Sequence, residues 1–359
     1  MGAINIKMHR TRRFHLVRFE RAITGTVNAK YPDPDDRGYI GPEFGPMVGV
    51  LVGSTVTLRL KRLSIDNGAP LFVKSSDPAA FTVHSPRGGA LRSREYNEIE
   101  ITGVAGGNPR VAKLEVHYQS LTGPIIHELT VWVLTPLNVT LVQHKVTIAG
   151  AAAPGVPAAA GVPSTLNLGT IVPIVRAIWG HYGITFTLNA PVVDAVTFAT
   201  AGIVQWAEEP TLLGTNWVPG AINVYTVHQI ETGSTLGYGF SRSSFAGFGM
   251  PNPAIVLADN SASDPVACAH ALAHEIGHFF TLWHPENMQP PTEREDTWCR
   301  RRLMHNYASL DPTANWKDNV GYGAGRAGDF VTIKHLSQQT TDGECTTARG
   351  TIGGAAGPY

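Results

Sequence analysis

Charge is scarce in this sequence and has no net sign. Asp, Glu, Lys and Arg make up only 16% of its 359 residues, and 28 basic residues face 28 acidic ones. A general nucleic-acid binder shows a basic face, so no nucleic-acid partner is expected. Cysteine is scarcer still. Cys268, Cys299 and Cys345 are too few for a disulfide scaffold, and their spacing fits no zinc knuckle. One bond at most can form, and Cys299 with Cys345 is the expected pair. The basic opening, MGAINIKMHRTRRFHLVRFERA, lacks an apolar core and does not read as a secretory signal peptide. The long charge-free run from Val146 to Val175 holds Pro154, Pro157, Pro163 and Pro173 and is rich in Ala and Gly. It reads as a spacer, and no membrane span is expected.

What is present is glycine (38), proline (25) and 43% hydrophobic residues, in a chain long enough for two or more cores. The first third alternates with the period of a β-strand. Ser54–Leu60 (STVTLRL), Glu98–Ile101 (EIEI), Val111–Tyr118 (VAKLEVHY) and Ile126–Leu134 (IHELTVWVL) place apolar residues at every second position, between turns of Gly, Pro, Asn and Asp. Several short strands of this kind predict a β-sandwich. Their order from Gly49 to Leu134 resembles a bacterial immunoglobulin-like (Ig-like) domain. An extended N-terminal arm, which includes KYPDPDDRGYIGPEFGP, precedes it.

After Leu137 the grammar changes. Val139–Ile148 (VTLVQHKVTI) reads as a strand. Ile171, Ile174, Val175, Ile178 and Trp179 recur at helical spacing, with Gly180 near the helix end. Gly183–Leu188, Ala221–Ile230 and Ala254–Asp259 read as strands, and Gly233–Ser241 (GSTLGYGFS) as a short edge strand. A helix among strands predicts an α/β domain. The expected organisation is a β-rich domain over residues 1–137 and a second domain over 138–359.

The chemistry concentrates in His274–His284, HEIGHFFTLWH. Asp264 as N-cap and Pro265 at the first position start a helix there. Residues four apart share a helix face, so His274 and His278 point to one place and can hold one zinc ion. Glu275 is turned by ~100° from His274, beside the metal, where it can take a proton from an activated water. His284 supplies a third ligand if the chain turns back after Phe280. His270 is also four residues from His274, but only His274–Glu275–His278 satisfies HExxH, so His270 is assigned to packing. Asp259 and Asn260 offer acidic and amide oxygens, without the ligand density of a calcium site.

HExxH, a third histidine six residues later and RRLMHNYAS downstream together resemble the metzincin clan of zinc peptidases. The resemblance implies an α/β zincin catalytic domain with one catalytic zinc on His274, His278 and His284. It implies Glu275 as general base and Met304 as the turn methionine under the metal. Tyr307 is implied as a stabiliser of the transition state, with packing under the turn as its other role. The clan has glycine three residues after the second histidine, where this chain has Thr281. A threonine at positive φ costs about 1–2 kcal/mol, so the bend is expected to be built differently, with Glu286 as the alternative third ligand. GSTLGYGFS is the implied peptide-binding edge. Arg300–Arg302 and the acids between Trp283 and Met304 form either a solvated loop or a wall of the substrate pocket.

The expected function is therefore a zinc endopeptidase acting on protein or peptide substrates. Its β domain would contact a surface target or a secretion machine, and it would be exported by a route without a signal peptide. Two alternatives stand beside it: an Ig-like binding or adhesion protein with a catalytically silent zinc site, and a zinc amidase acting on cell-wall peptides.

Overall fold

A computed structural model describes residues 17–21, 47–152, 161–282 and 344–353, except 64–68, 85–89, 92–95, 107–109, 181–182, 232–234, 242–244 and 260–264. The N-terminal arm, most of the Ala/Pro/Gly spacer, Asp264, Asn260, His284, Glu286, Cys299, Arg300–Arg302, Met304 and Tyr307 lie outside the described residues. The chain forms two compact units that divide between Thr135 and Pro136.

The first unit contains only strands. β1 (Val17–Arg21), β3 (Thr55–Arg62), β5 (Phe81–His84) and β6 (Tyr96–Gly103) make one sheet in the order β1-β3-β6-β5, antiparallel throughout. β2 (Met47–Leu51), β4 (Leu71–Ser75), β7 (Arg110–Tyr118) and β8 (Ile125–Leu134) make the other in the order β2-β8-β7-β4, where only the β2–β8 pair is parallel. Period-two alternation sends Val56, Leu58 and Leu60 of β3 inward, against Phe81, Ile99, Leu114, Leu129 and Val131 from both sheets. Arg62 continues the inward row. It is buried, and its guanidinium nitrogen Nη2 donates to the carbonyls of Ala69 and Leu91, each at 2.7 Å.

In the second unit one strand organises the rest. β9 (Leu137–Ala151) runs for 15 residues. It pairs in parallel with β11 (Ile184–Leu188), β12 (Val192–Thr200) and β14 (Ile222–Val227), and antiparallel with β10 (Val162–Pro163). β14 continues to β17 (Ile255–Ala258), and β17 to the antiparallel edge strand β16 (Gly237–Gly239). On one face lie α1 (Leu168–Gly180) and α3 (Pro265–Phe279), which bury Val175, Ile178, Trp179, Leu272 and Ile276 against Ile222, Val224, Ile255 and Leu257. On the other face Tyr225, Val227 and Val256 pack with Leu212 and Leu213 of α2 (Glu209–Gly214), Phe240 and Met250. Because both faces are covered, every residue of β14 and β17 is buried, and these strands read as continuous apolar runs.

The expected fold class is corrected here. Among the described residues 50% are in strands and 22% in helices. The second unit is not an α/β zincin domain in which helices alternate with strands. From β11 to β17 the chain runs through strands, tight turns and the short α2, and the long helices α1 and α3 share one face. A last helix, α4 (Glu344–Gly353), adds Ala348 to the same core. The sequence rule failed because apolar runs such as INVYTV look the same whether helices or strands cover them.

One polar network crosses this core. The Asn223 side-chain amide donates to the Val218 and Ala221 carbonyls, and its oxygen accepts from the Val218 N–H at 2.8 Å. That fixes the amide orientation, so the 2.8 Å contact from His144 Nε2 to the same oxygen places a proton on Nε2. His144 Nδ1 meets Asp194 at 2.8 Å, and Asn216 donates to the other Asp194 oxygen at 2.6 Å. β9, β12 and β14 are thus tied through three buried side chains.

Candidate metal site on the third helix

Pro265 opens α3 at a position where the helix needs no backbone N–H. The helix is held from behind by Trp179, whose indole N–H donates to the Ala273 carbonyl at 3.3 Å and whose ring meets Phe280 edge-on at 5.5 Å. Its end is closed by two bonds, Leu282 N–H to the Gly277 carbonyl at 2.9 Å and Thr281 N–H to the His278 carbonyl at 2.8 Å. This pair is a Schellman motif, which requires a left-handed residue at Thr281. Thr281 has φ of 67°. The expectation that the bend is built differently is therefore wrong: the threonine takes the conformation a glycine would. Thr351 of α4 donates to the Phe280 carbonyl at 3.2 Å and supports the turn.

The helical spacing brings His274 and His278 together, with ring centroids 4.8 Å apart and planes at 87°. The turn after the helix orients the second ring. His278 Nδ1 lies 2.9 Å from the Leu282 carbonyl, which can only accept. Nδ1 therefore carries the proton, and Nε2 presents a lone pair, the tautomer a metal ligand needs. His274 is 5% exposed and His270 1%, so His270 is part of the buried body of the helix.

Glu275 is buried beside the pair, and its Oε2 has no hydrogen-bond partner. Burial pushes its pKa up to about 8, while the Gly239 backbone N–H of β16 pulls in the opposite direction. Glycine at position 239 makes this approach feasible. A Cβ there would stand 2.9 Å from the Glu275 carbonyl oxygen and 3.2 Å from Oε2. The stretch expected as an edge strand thus contributes β16, whose backbone covers the carboxylate.

A second carboxyl group was missed by the sequence reading. Glu209, at the start of α2, is 1% exposed, and its Oε2 also has no hydrogen-bond partner. Burial raises it to about 7; the Tyr238 hydroxyl acts against that rise and Glu231 adds to it. Tyr238 couples electrostatically to Glu209, yet its hydroxyl makes no hydrogen bond of good geometry. No motif marks this group, because the contact joins a turn and a strand remote in sequence. Asp259 proves to be a structural tie. Its carboxylate accepts from the Ser164 hydroxyl at 2.6 Å and the Thr165 N–H at 3.0 Å.

His274, Glu275 and His278 are thus brought together, whereas His284 and Tyr307 lie outside the described residues. Two imidazoles with one fixed tautomer fit part of the ligand set of a transition-metal ion such as zinc. Among the described residues no three His, Cys, Asp or Glu side chains converge on one metal position. None of the helices described there is long and apolar enough to cross a membrane.

No family model matches the chain, and no curated protein matches it. Among solved structures, domains 4 and 5 of the S-layer protein SbsC match with 19% identity over 24% of this chain and 46% of that one, at a TM-score of 0.20. The chain therefore spans less than half of that structure. SSP-19, an MSP-domain-like protein of Caenorhabditis elegans, matches with 21% identity over 25% of this chain and 94% of that one, at a TM-score of 0.19. A family 123 glycoside hydrolase from Clostridium perfringens matches with 10% identity over 36% and 30%, at 0.20. The metzincin resemblance is accordingly corrected, and with it the reading as a metzincin metalloprotease and zinc endopeptidase. The described residues are predominantly strand and bring no three-donor metal group together.

Proposed function

We propose that the chain is a binding protein, with the first unit as an Ig-like adhesion module and the second holding a zinc ion between His274 and His278. The observation that supports this reading is the self-sufficiency of the first unit. Two four-stranded sheets enclose one core, and Arg62, its buried charge, is spent on internal carbonyls. Such a unit performs no chemistry of its own and offers its loops and sheet edges to a target. A cell surface or the medium outside the cell is the setting this reading requires. In the second unit the zinc would anchor the end of α3, where the Thr281 turn stores strain.

The test is metal content and target binding of the full chain. About one zinc per chain is expected after purification without chelators, falling sharply in His274→Ala and in His278→Ala. Sedimentation with insoluble cell-wall polymer should be the same for wild type and Glu275→Ala. A chain that binds no zinc and no surface polymer or protein would overturn the reading.

A second reading, a zinc amidase acting on cell-wall peptide links, is favoured by Glu275. A silent site has no use for a buried carboxyl with an open oxygen beside two imidazoles. Zinc, when bound, supplies Lewis acidity to an amide carbonyl. Glu275, raised to about 8, can hold a proton at Oε2 near neutral pH and release it toward a leaving amine. His278 stays fixed through the Leu282 carbonyl, and β16 shields the carboxyl from water. Release of peptides from peptidoglycan fragments by wild type, lost in Glu275→Ala with zinc retained, would select this reading. No release by zinc-loaded wild type would leave the silent site.

A further inference from the structure

The sheet face opposite α3 carries an aromatic cluster that neither reading uses. Trp206 packs on Tyr238 and Phe240 with centroids 6.4 and 5.9 Å away, Tyr238 on Phe240 at 5.5 Å, and Phe240 on Phe248 at 5.8 Å. The ring planes are inclined to one another by 54–68°, so the rings form walls and not a stack. The outer two remain half in solvent, Trp206 at 49% and Phe248 at 57% exposure. Large aromatic rings left this open are costly unless something covers them.

The charge beneath them says what that something is. Tyr238 is coupled to the buried Glu209, and Glu209 Oε2 and the Tyr238 hydroxyl both lack hydrogen-bond partners. Glu231, exposed, is a second acid within electrostatic reach. The sequence neighbour of Glu209 shows what a structural carboxylate looks like: Glu208 accepts from the Ala199 N–H at 2.7 Å and the Gln205 N–H at 2.9 Å. Glu209 does no such work. Aromatic faces and an uncommitted carboxylate together attract an organic cation, and they repel anions. A bare metal ion does not fit, because among the described residues no three donors converge.

We propose that this face binds an alkylammonium group, with the rings of Trp206, Tyr238, Phe240 and Phe248 as its walls and Glu209 as its counter-ion. The ammonium methyl or methylene groups lie against the rings, and the charge faces the carboxylate. Burial holds Glu209 at about 7, with Tyr238 and Glu231 as the titratable groups facing it and Glu208 beside it on the same turn. The bound cation favours the ionised form, so binding expels a proton. If only ionised Glu209 binds, affinity rises about tenfold between pH 6 and pH 8.

The experiment titrates the full chain with choline and with its uncharged isostere 3,3-dimethyl-1-butanol, by calorimetry at both pH values. Choline is expected to bind about tenfold tighter than the isostere, and more tightly at pH 8. Glu209→Gln should abolish both the preference and the pH dependence. Phe248→Ala, an exposed position, should weaken choline several-fold without loss of folding by circular dichroism. Phosphatidylcholine vesicles in place of free choline tell a lipid headgroup from a soluble ammonium compound. Equal binding of choline and the isostere would reduce the face to an apolar patch and overturn the proposal, as would no saturation by either. Dimerisation abolished by Trp206→Ala but indifferent to choline would assign the face to a second copy and overturn it too.

Discussion

Arg62 in the first unit and Glu209 and Glu275 in the second are all buried ionisable groups, but they are treated in opposite ways. Arg62 is matched by the carbonyls of Ala69 and Leu91 and belongs to the architecture. The two glutamates flank the edge strand β16, Glu275 on the side of Gly239 and Glu209 on the side of Tyr238, and each keeps an open oxygen. A satisfied buried charge specifies a fold, whereas an unsatisfied one is retained at a cost and is a candidate for chemistry. The first unit is thus finished in itself, and the second is built to meet something.

Breaking the Arg62 arrangement should have the largest effect. Arg62→Met leaves two buried carbonyls without donors and is expected to cost about 3–4 kcal/mol in urea unfolding of the full chain. Glu209 sharpens the contrast through pH. Its pKa is raised on folding from 4.5 to about 7. The raised carboxyl contributes stability that is full below the unfolded value and lost as pH climbs through the folded one. Wild type should therefore lose about 3 kcal/mol of stability between roughly pH 4.5 and 7 on account of this group. Glu209→Gln should flatten that part of the profile; an unchanged slope would refute the assignment.

Smaller effects are expected at β16 and at the end of α3. Gly239→Ala drives a Cβ against the Glu275 carbonyl and should cost about 2 kcal/mol, since backbone must move. Thr281→Gly removes left-handed strain from a β-branched residue and should stabilise the chain by about 1 kcal/mol, the gain limited by the freer unfolded glycine. Thermal melts of both variants check the signs.

What the sequence revealed divides along the same line. The meeting of His274, Glu275 and His278 needed only helical period, a local property, and it is present. Thr281 was misjudged because the side chain argues against positive φ, while the surrounding bonds of Leu282 and Thr351 enforce it. The α/β expectation failed because covered strands carry no periodicity to betray what covers them. The metzincin resemblance rested on a local signature plus distant donors, and a short signature does not carry a fold. Glu209 and Tyr238 were invisible for a simpler reason. Their contact exists only after β16 takes its place beside β17, with α2 on the other face.

β9 has a consequence for how the second unit comes into being. Four other strands register directly on it, three of them in parallel and supplied by later stretches of chain. No hairpin can nucleate those parallel pairs, so each must close a long loop before it gains a hydrogen bond. The sheet is therefore expected to assemble as one cooperative block around a single spine, slowly and with few partly formed states. Amide protons along β9 should be among the last in the chain to exchange with solvent.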